Sequence, residues 1–123
     1  MLFRSREVVT EREPKSRSRE TTFASDTSDW QAIARTLAAL SREVAEDLRD
    51  EGVRGRTIGI KLRFANFETV TRDRTIAEAT DSAEHIRRAA FECLSRVKLD
   101  RSIRLVGVRV GNLEKTRLQE KLA

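Results

Sequence analysis

Two hydrophobic periods alternate along this chain. Between Trp30 and Leu48 apolar side chains recur every three or four residues (Trp30, Ile33, Ala34, Leu37, Leu40, Val44, Leu48), leaving Arg35, Arg42, Glu43, Asp47 and Arg49 for solvent. That spacing predicts an amphipathic helix. Ser28 followed by Gln31 has the form of a capping box at its start, Trp30 reads as a core anchor, and Gly52 ends it. From Arg56 the period falls to two: Ile58, Ile60, Leu62 and Phe64 alternate with Thr57, Gly59, Lys61 and Arg63, as in a strand buried on one face. Ala65, Asn66 and Phe67 make a tight connection to a second strand over Glu68–Ile76, rich in Thr and Val. Asp81 with Glu84 opens a second helix whose stripe (Ala83, Ile86, Ala90, Cys93, Leu94, Val97) runs to about Leu99. Val106, Val108 and Val110 share one side of a last strand over Ile103–Val110, and Thr21, Thr22 and Phe23 place a short first strand over Arg19–Ala24.

The order is strand, helix, strand, strand, helix, strand. An α+β two-layer sandwich is expected, with a four-stranded sheet that carries both helices on one face. Residues 1–18 read as a linker or extended arm, residues 19–113 as the folded domain and residues 114–123 as a charged tail.

With 38% hydrophobic and 37% charged residues, the 123-residue chain suits one domain with a thin core and a heavily charged skin. No apolar stretch nears the roughly 20 residues that span a bilayer, and the start has no signal-peptide core, so a soluble, cytoplasmic protein is expected. One cysteine, Cys93, and one histidine, His85, supply neither an internal disulfide nor a Cys/His zinc cage. Cys93 sits in the apolar stripe as a core residue, and His85 lies on the second helix without a partner histidine. Phosphate-binding, dinucleotide-binding, nucleophile-elbow and HExxH motifs are missing, and no paired carboxylates suit a two-metal site. An active site within these residues is not expected.

The net charge of +5 is unevenly spread. The segment Arg54–Arg74 holds six basic residues (Arg54, Arg56, Lys61, Arg63, Arg72, Arg74) against Glu68 and Asp73, whereas Asp29–Asp50 has three basic against five acidic and Asp81–Asp100 balances. If the helices cover the apolar sheet face, Lys61, Arg63 and Arg109 gather on the other with Thr57, Gly59 and Gly107. Glycine leaves the backbone open to close approach while Arg and Lys neutralise phosphates and release counterions. The plainer reading is that these cations only solubilise an exposed face. The face lacks the aromatic pair on which RNA-binding sheets stack bases, which disfavours that class.

The strings Arg12-Glu13-Pro14-Lys15-Ser16 and Arg19-Glu20-Thr21-Thr22-Phe23, then Ile60-Lys61-Leu62-Arg63-Phe64 with Phe67, Thr71-Arg72 with Thr75, and Ile103 to Val110, occur in an order that resembles the little finger of bacterial Y-family translesion polymerases of the DNA polymerase IV type. The resemblance covers about residues 12–113. It implies a polymerase-associated domain whose open sheet face lies against primer–template duplex DNA, with contacts at Lys61, Arg63, Thr71, Arg72, Arg74 and Arg109, close backbone approach at Gly59 and Gly107, and further contacts from the linker residues Lys15, Arg17 and Arg19. The common parity of Val70, Arg72 and Arg74 leaves open which of Thr71, Arg72 and Arg74 reaches phosphate, and Arg104 shares a side with the valines. The palm, fingers and thumb are not in this sequence. The chain therefore holds no cofactor and adds no nucleotide by itself; the parent, a DNA-directed DNA polymerase, would use Mg2+. An excised domain is expected rather than a stand-alone relative, since the sequence begins inside the thumb junction, and a monomer is expected. Gln119 and Leu122 echo the sliding-clamp peptide of such polymerases without its terminal Leu-Phe pair, a charged helical tail being the other reading. The rival function is a protein-interaction domain, for the clamp or another subunit, whose basic face is only solvating.

Overall fold

The computed structural model of the chain describes residues 15–115, in which six elements follow one another: β1 (Arg17–Thr27), α1 (Trp30–Glu51), β2 (Val53–Phe64), β3 (Thr69–Thr80), α2 (Ala83–Leu94) and β4 (Ile103–Lys115). The order is the βαββαβ expected. The strands form one antiparallel sheet in the order β1-β4-β2-β3, so the two most apolar strands are central and the two most polar are edges. Each strand outruns its expected bounds: β1 starts at Arg17, inside the expected linker, and β4 runs to Lys115, into the expected tail. The proposed clamp-like residues Gln119 and Leu122 lie outside the described residues.

The core lies between the helices and one sheet face. Ile33, Leu37, Leu40, Val44 and Leu48 of α1 and Ile86, Ala90, Cys93 and Leu94 of α2 meet Ile58, Ile60, Leu62 and Phe64 of β2 and Val106, Val108 and Val110 of β4. Each fully buried Leu, Ile or Phe contributes roughly 2 kcal/mol relative to exposure. Register pins the faces, since Ile58, Ile60 and Leu62 pair with Val110, Val108 and Val106 and the intervening residues project away from the helices.

Helix ends correct the expectations. Asp29, not Ser28, caps α1: its carboxylate accepts from the N–H groups of Gln31 (3.0 Å) and Ala32 (3.4 Å), while the Ser28 hydroxyl meets that of Ser102. Trp30 is 50% exposed and is not a core anchor, because the buried stripe begins a turn later at Ile33. Gly52 closes the helix in the left-handed region (φ +68°). Ser82, not Asp81, caps α2 by accepting from the His85 N–H at 3.3 Å, and α2 ends at Leu94 rather than near Leu99. Val97 and Leu99 still pack against the core beyond the helix.

Candidate nucleic-acid interface

On the helix-free face the register sets side chains in rows across the four strands, read from β1 to β3. Ser18, Arg109, Gly59 and Asp73 form one row; Glu20, Gly107, Lys61 and Thr71 the next; Thr22, Leu105, Arg63 and Thr69 the third. Lys61, Arg63 and Arg109 therefore share one face, as expected from the alternation. Around the first two rows the surface sinks into a cradle of about 370 Å³ whose lining includes Lys61, Arg109, Gly59, Gly107 and Thr71.

The glycines shape this floor. A Cβ at Gly107 would lie 3.1 Å from Glu20 Cβ, and one at Gly59 would lie 3.0 Å from Asp73 Cβ and 3.2 Å from the Arg72 carbonyl oxygen. Cations stand on the opposite diagonal from these two low points. Arg63 Nε donates to Thr69 Oγ1 at 3.0 Å, and Lys61 Nζ lies 3.2 Å from Glu20 Oε1. Arg109 is exposed and makes no ion pair among the described residues. Thr69, Thr71 and Thr75 add hydroxyls along β3, the last within 3.3 Å of Thr57 Oγ1.

Five other expected contact residues stand elsewhere. Arg72 and Arg74 pair with Ile60 and Ile58, which puts them on the helix side of β3, so Thr71 is the member of that trio on the open face. Arg74 Nη1 meets Glu92 Oε2 at 2.8 Å, and Arg72 Nη1 donates to the Thr71 carbonyl at 2.7 Å. Arg17 and Arg19 pair with Val110 and Val108, again on the helix side. Arg19 forms a fork with Asp47 (2.8 and 2.9 Å), and Arg17 Nε donates to both oxygens of Glu51 at 2.9 Å. The hydrogen bond and charge of Arg19 hold the Asp47 carboxyl below its ordinary range, and Arg17 does the same for Glu51. Lys15 is exposed just ahead of β1. Arg104 is the extra residue of a bulge between the Arg63–Leu105 and Phe64–Ile103 pairs; its guanidinium stacks 4.5 Å from the Phe67 ring centroid and its Nε lies 3.7 Å from Asp26 Oδ1.

The alternation of β2 missed the two acids of this face, Glu20 and Asp73. Their parity becomes visible only once each edge strand is registered against its neighbour. Among the described residues no His, Cys, Asp and Glu side chains gather into a metal-binding group, and no helix is long and apolar enough to cross a membrane.

Residues 14–122 match the impB/mucB/samB family C-terminal domain. A DNA polymerase IV of Methanoculleus marisnigri is 47% identical over 100 residues, which cover 81% of this chain and 28% of that protein. The chain thus spans less than a third of that relative. Among solved structures, a complex of a beta-clamp processivity factor with the little finger domain of PolIV superposes with a TM-score of 0.64 at 20% identity, covering 79% of this chain and 87% of that one. A ternary complex of Dbh DNA polymerase gives a TM-score of 0.74 at 15% identity over 84% of this chain and 30% of that one. At such identities these two likenesses establish the shared fold.

Proposed function

The chain belongs to the impB/mucB/samB family C-terminal domain, the little finger of Y-family DNA polymerase IV, and from that premise we propose that its helix-free sheet face holds primer–template duplex DNA by the phosphates, without regard to sequence. The observation that carries this is the placement of Lys61, Arg63 and Arg109 on one face around the glycine floor of Gly59 and Gly107. Cations that flank glycines, which add no side chain of their own, can reach a backbone that settles between them. Thr71 and Thr69 offer hydroxyl donors on the same surface. Phosphate contacts fix orientation but carry no sequence information, which suits a module that must slide. The contact set proposed is therefore Lys61, Arg63, Thr71 and Arg109 over Gly59 and Gly107. Arg72 and Lys15 are peripheral, and Arg17, Arg19 and Arg74 are engaged with helix carboxylates.

Nucleotide addition, with its Mg2+, would fall to the parts of such polymerases that this chain does not span, and the whole would work on DNA in the cytoplasm. Docking to a sliding clamp is the second reading, favoured by the clamp-bound little finger that shares this fold.

Fluorescence anisotropy with a labelled mixed-sequence duplex at several salt concentrations tests the first reading. Arg63→Ala and Arg109→Ala should each weaken binding alike on unrelated sequences and lower the slope of log K against log salt by about one. Arg19→Ala should leave the slope unchanged. An unaltered slope in both face variants would refute the proposal.

A further inference from the structure

The proposed contact face carries a carboxylate that the reading above leaves unused. Glu20 stands opposite Gly107 in register, on the edge strand, and Lys61 stands on the other side of that glycine. A Cβ at Gly107 would lie 3.1 Å from Glu20 Cβ and 3.6 Å from its Oε1, so the Glu20 side chain is folded across the glycine. It ends 3.2 Å from Lys61 Nζ. An anionic oxygen thus already sits over the glycine low point and within hydrogen-bond reach of the ammonium. A backbone phosphate offers those two features the same chemistry: a negatively charged oxygen at hydrogen-bond distance.

We infer that Glu20 is an internal stand-in for a DNA phosphate, seated across Gly107 against Lys61 and displaced when duplex enters. The inference rests on the duplex reading. Both partners are substantially exposed, at 38% and 51% of the side chain, and exposed pairs of this kind are weak. Displacement is therefore easy, and its effect is a few-fold rather than a block. Lys61 exchanges one anion for another on binding, so it adds less than Arg109, which has no carboxylate to give up among the described residues. The grip is held by Arg63 and Arg109 and softened at Lys61, which keeps a sequence-independent hold breakable.

The test is a double-mutant cycle between Glu20 and Lys61, read by anisotropy with the full 123-residue chain and the same duplex between roughly 50 and 200 mM salt. Glu20→Gln should tighten binding roughly two- to fivefold at low salt, the span of an exposed ion pair. It should also steepen the salt slope by up to about 0.9, the share of one phosphate contact. Lys61→Ala should cost little in the native background and clearly more beside Glu20→Gln. If Arg63→Ala and Arg109→Ala weaken binding while Glu20→Gln changes nothing, or acts equally with and without Lys61, the stand-in is overturned and the duplex reading stands. If the arginine variants are silent too, the duplex reading fails and this inference with it.

Discussion

Gly55 and Gly107 are both strand glycines, yet they serve different ends. A Cβ at Gly55 would lie 2.3 Å from Val110 Cγ1 and 2.7 Å from the Gly111 carbonyl oxygen, where backbone of the neighbouring central strand blocks it. At Gly107 the obstacle is Glu20 on an edge strand, which needs to give by only a few tenths of an ångström. Gly55→Ala should therefore cost about 1–3 kcal/mol, seen as a lower urea midpoint at unchanged m-value. An unmoved midpoint would mean that β2 and β4 have slack at this crossing. Two aromatic residues show where single-residue reading stops. Trp30 fits the helical stripe, but it is the first residue of α1 and precedes the turn that packs. Phe67 has φ +71° and is 65% exposed, a tip residue whose ring carries the Arg104 guanidinium instead of entering the core.

At the scale of elements, the helices are moored to the edge strands by charge. Arg19–Asp47 and Arg17–Glu51 tie β1 to α1, and Arg74–Glu92 ties β3 to α2. Three of the eight expected cations, Arg17, Arg19 and Arg74, are drawn off the proposed face in this way, while Arg72 and Lys15 stand at its rim without such a partner among the described residues: alternation tells that neighbours point opposite ways, but only register tells which way. β2 could be oriented from sequence because its apolar set is unambiguous, whereas β1 carries little besides Phe23 to mark its inner side. The two moorings of β1, together with the Arg101–Glu68 and Arg87–Glu84 pairs, have a pH signature. Arginine partners hold the carboxyls of Asp47, Glu51, Glu68 and Glu84 below their ordinary range, chiefly through hydrogen bonds. Depressed folded-state values contribute stability above the ordinary values near 4, and that stability is lost as pH falls through the lowered ones. Tm should then be flat from neutrality to about pH 5 and drop below about 4. Asp47→Asn should lower Tm at neutral pH, and its deficit should shrink as acid protonates the native carboxylate. A deficit constant across the acid limb would mean that the Arg19–Asp47 fork contributes nothing.

Across the whole molecule, the architecture was legible because two apolar periods, 3.6 and 2, occur in an order that only a small set of layered folds accommodates. The face was legible through β2 and β4 alone, which supply Lys61, Arg63 and Arg109; the edge strands, polar on both sides, hid Glu20 and Asp73. Such a division, with strong central strands between weak edges, raises the question of whether the sandwich opens as one unit. Cys93 can answer it. The thiol is fully buried on α2 with Sγ 3.7 Å from the Ile58 carbonyl of β2, so a reagent reaches it only when helix and sheet part. Burial also pushes its pKa up, against the opposing pull of Arg96, which keeps the enclosed thiol protonated and unreactive. Because Cys93 shares one continuous core with α1 and both central strands, its exposure should require global unfolding. The opening free energy from native-state thiol labelling should then equal that from urea, and Gly55→Ala should lower both by the same amount. Labelling faster than the urea value allows would show α2 leaving the sheet by itself, with β2, β4 and their cations still in place.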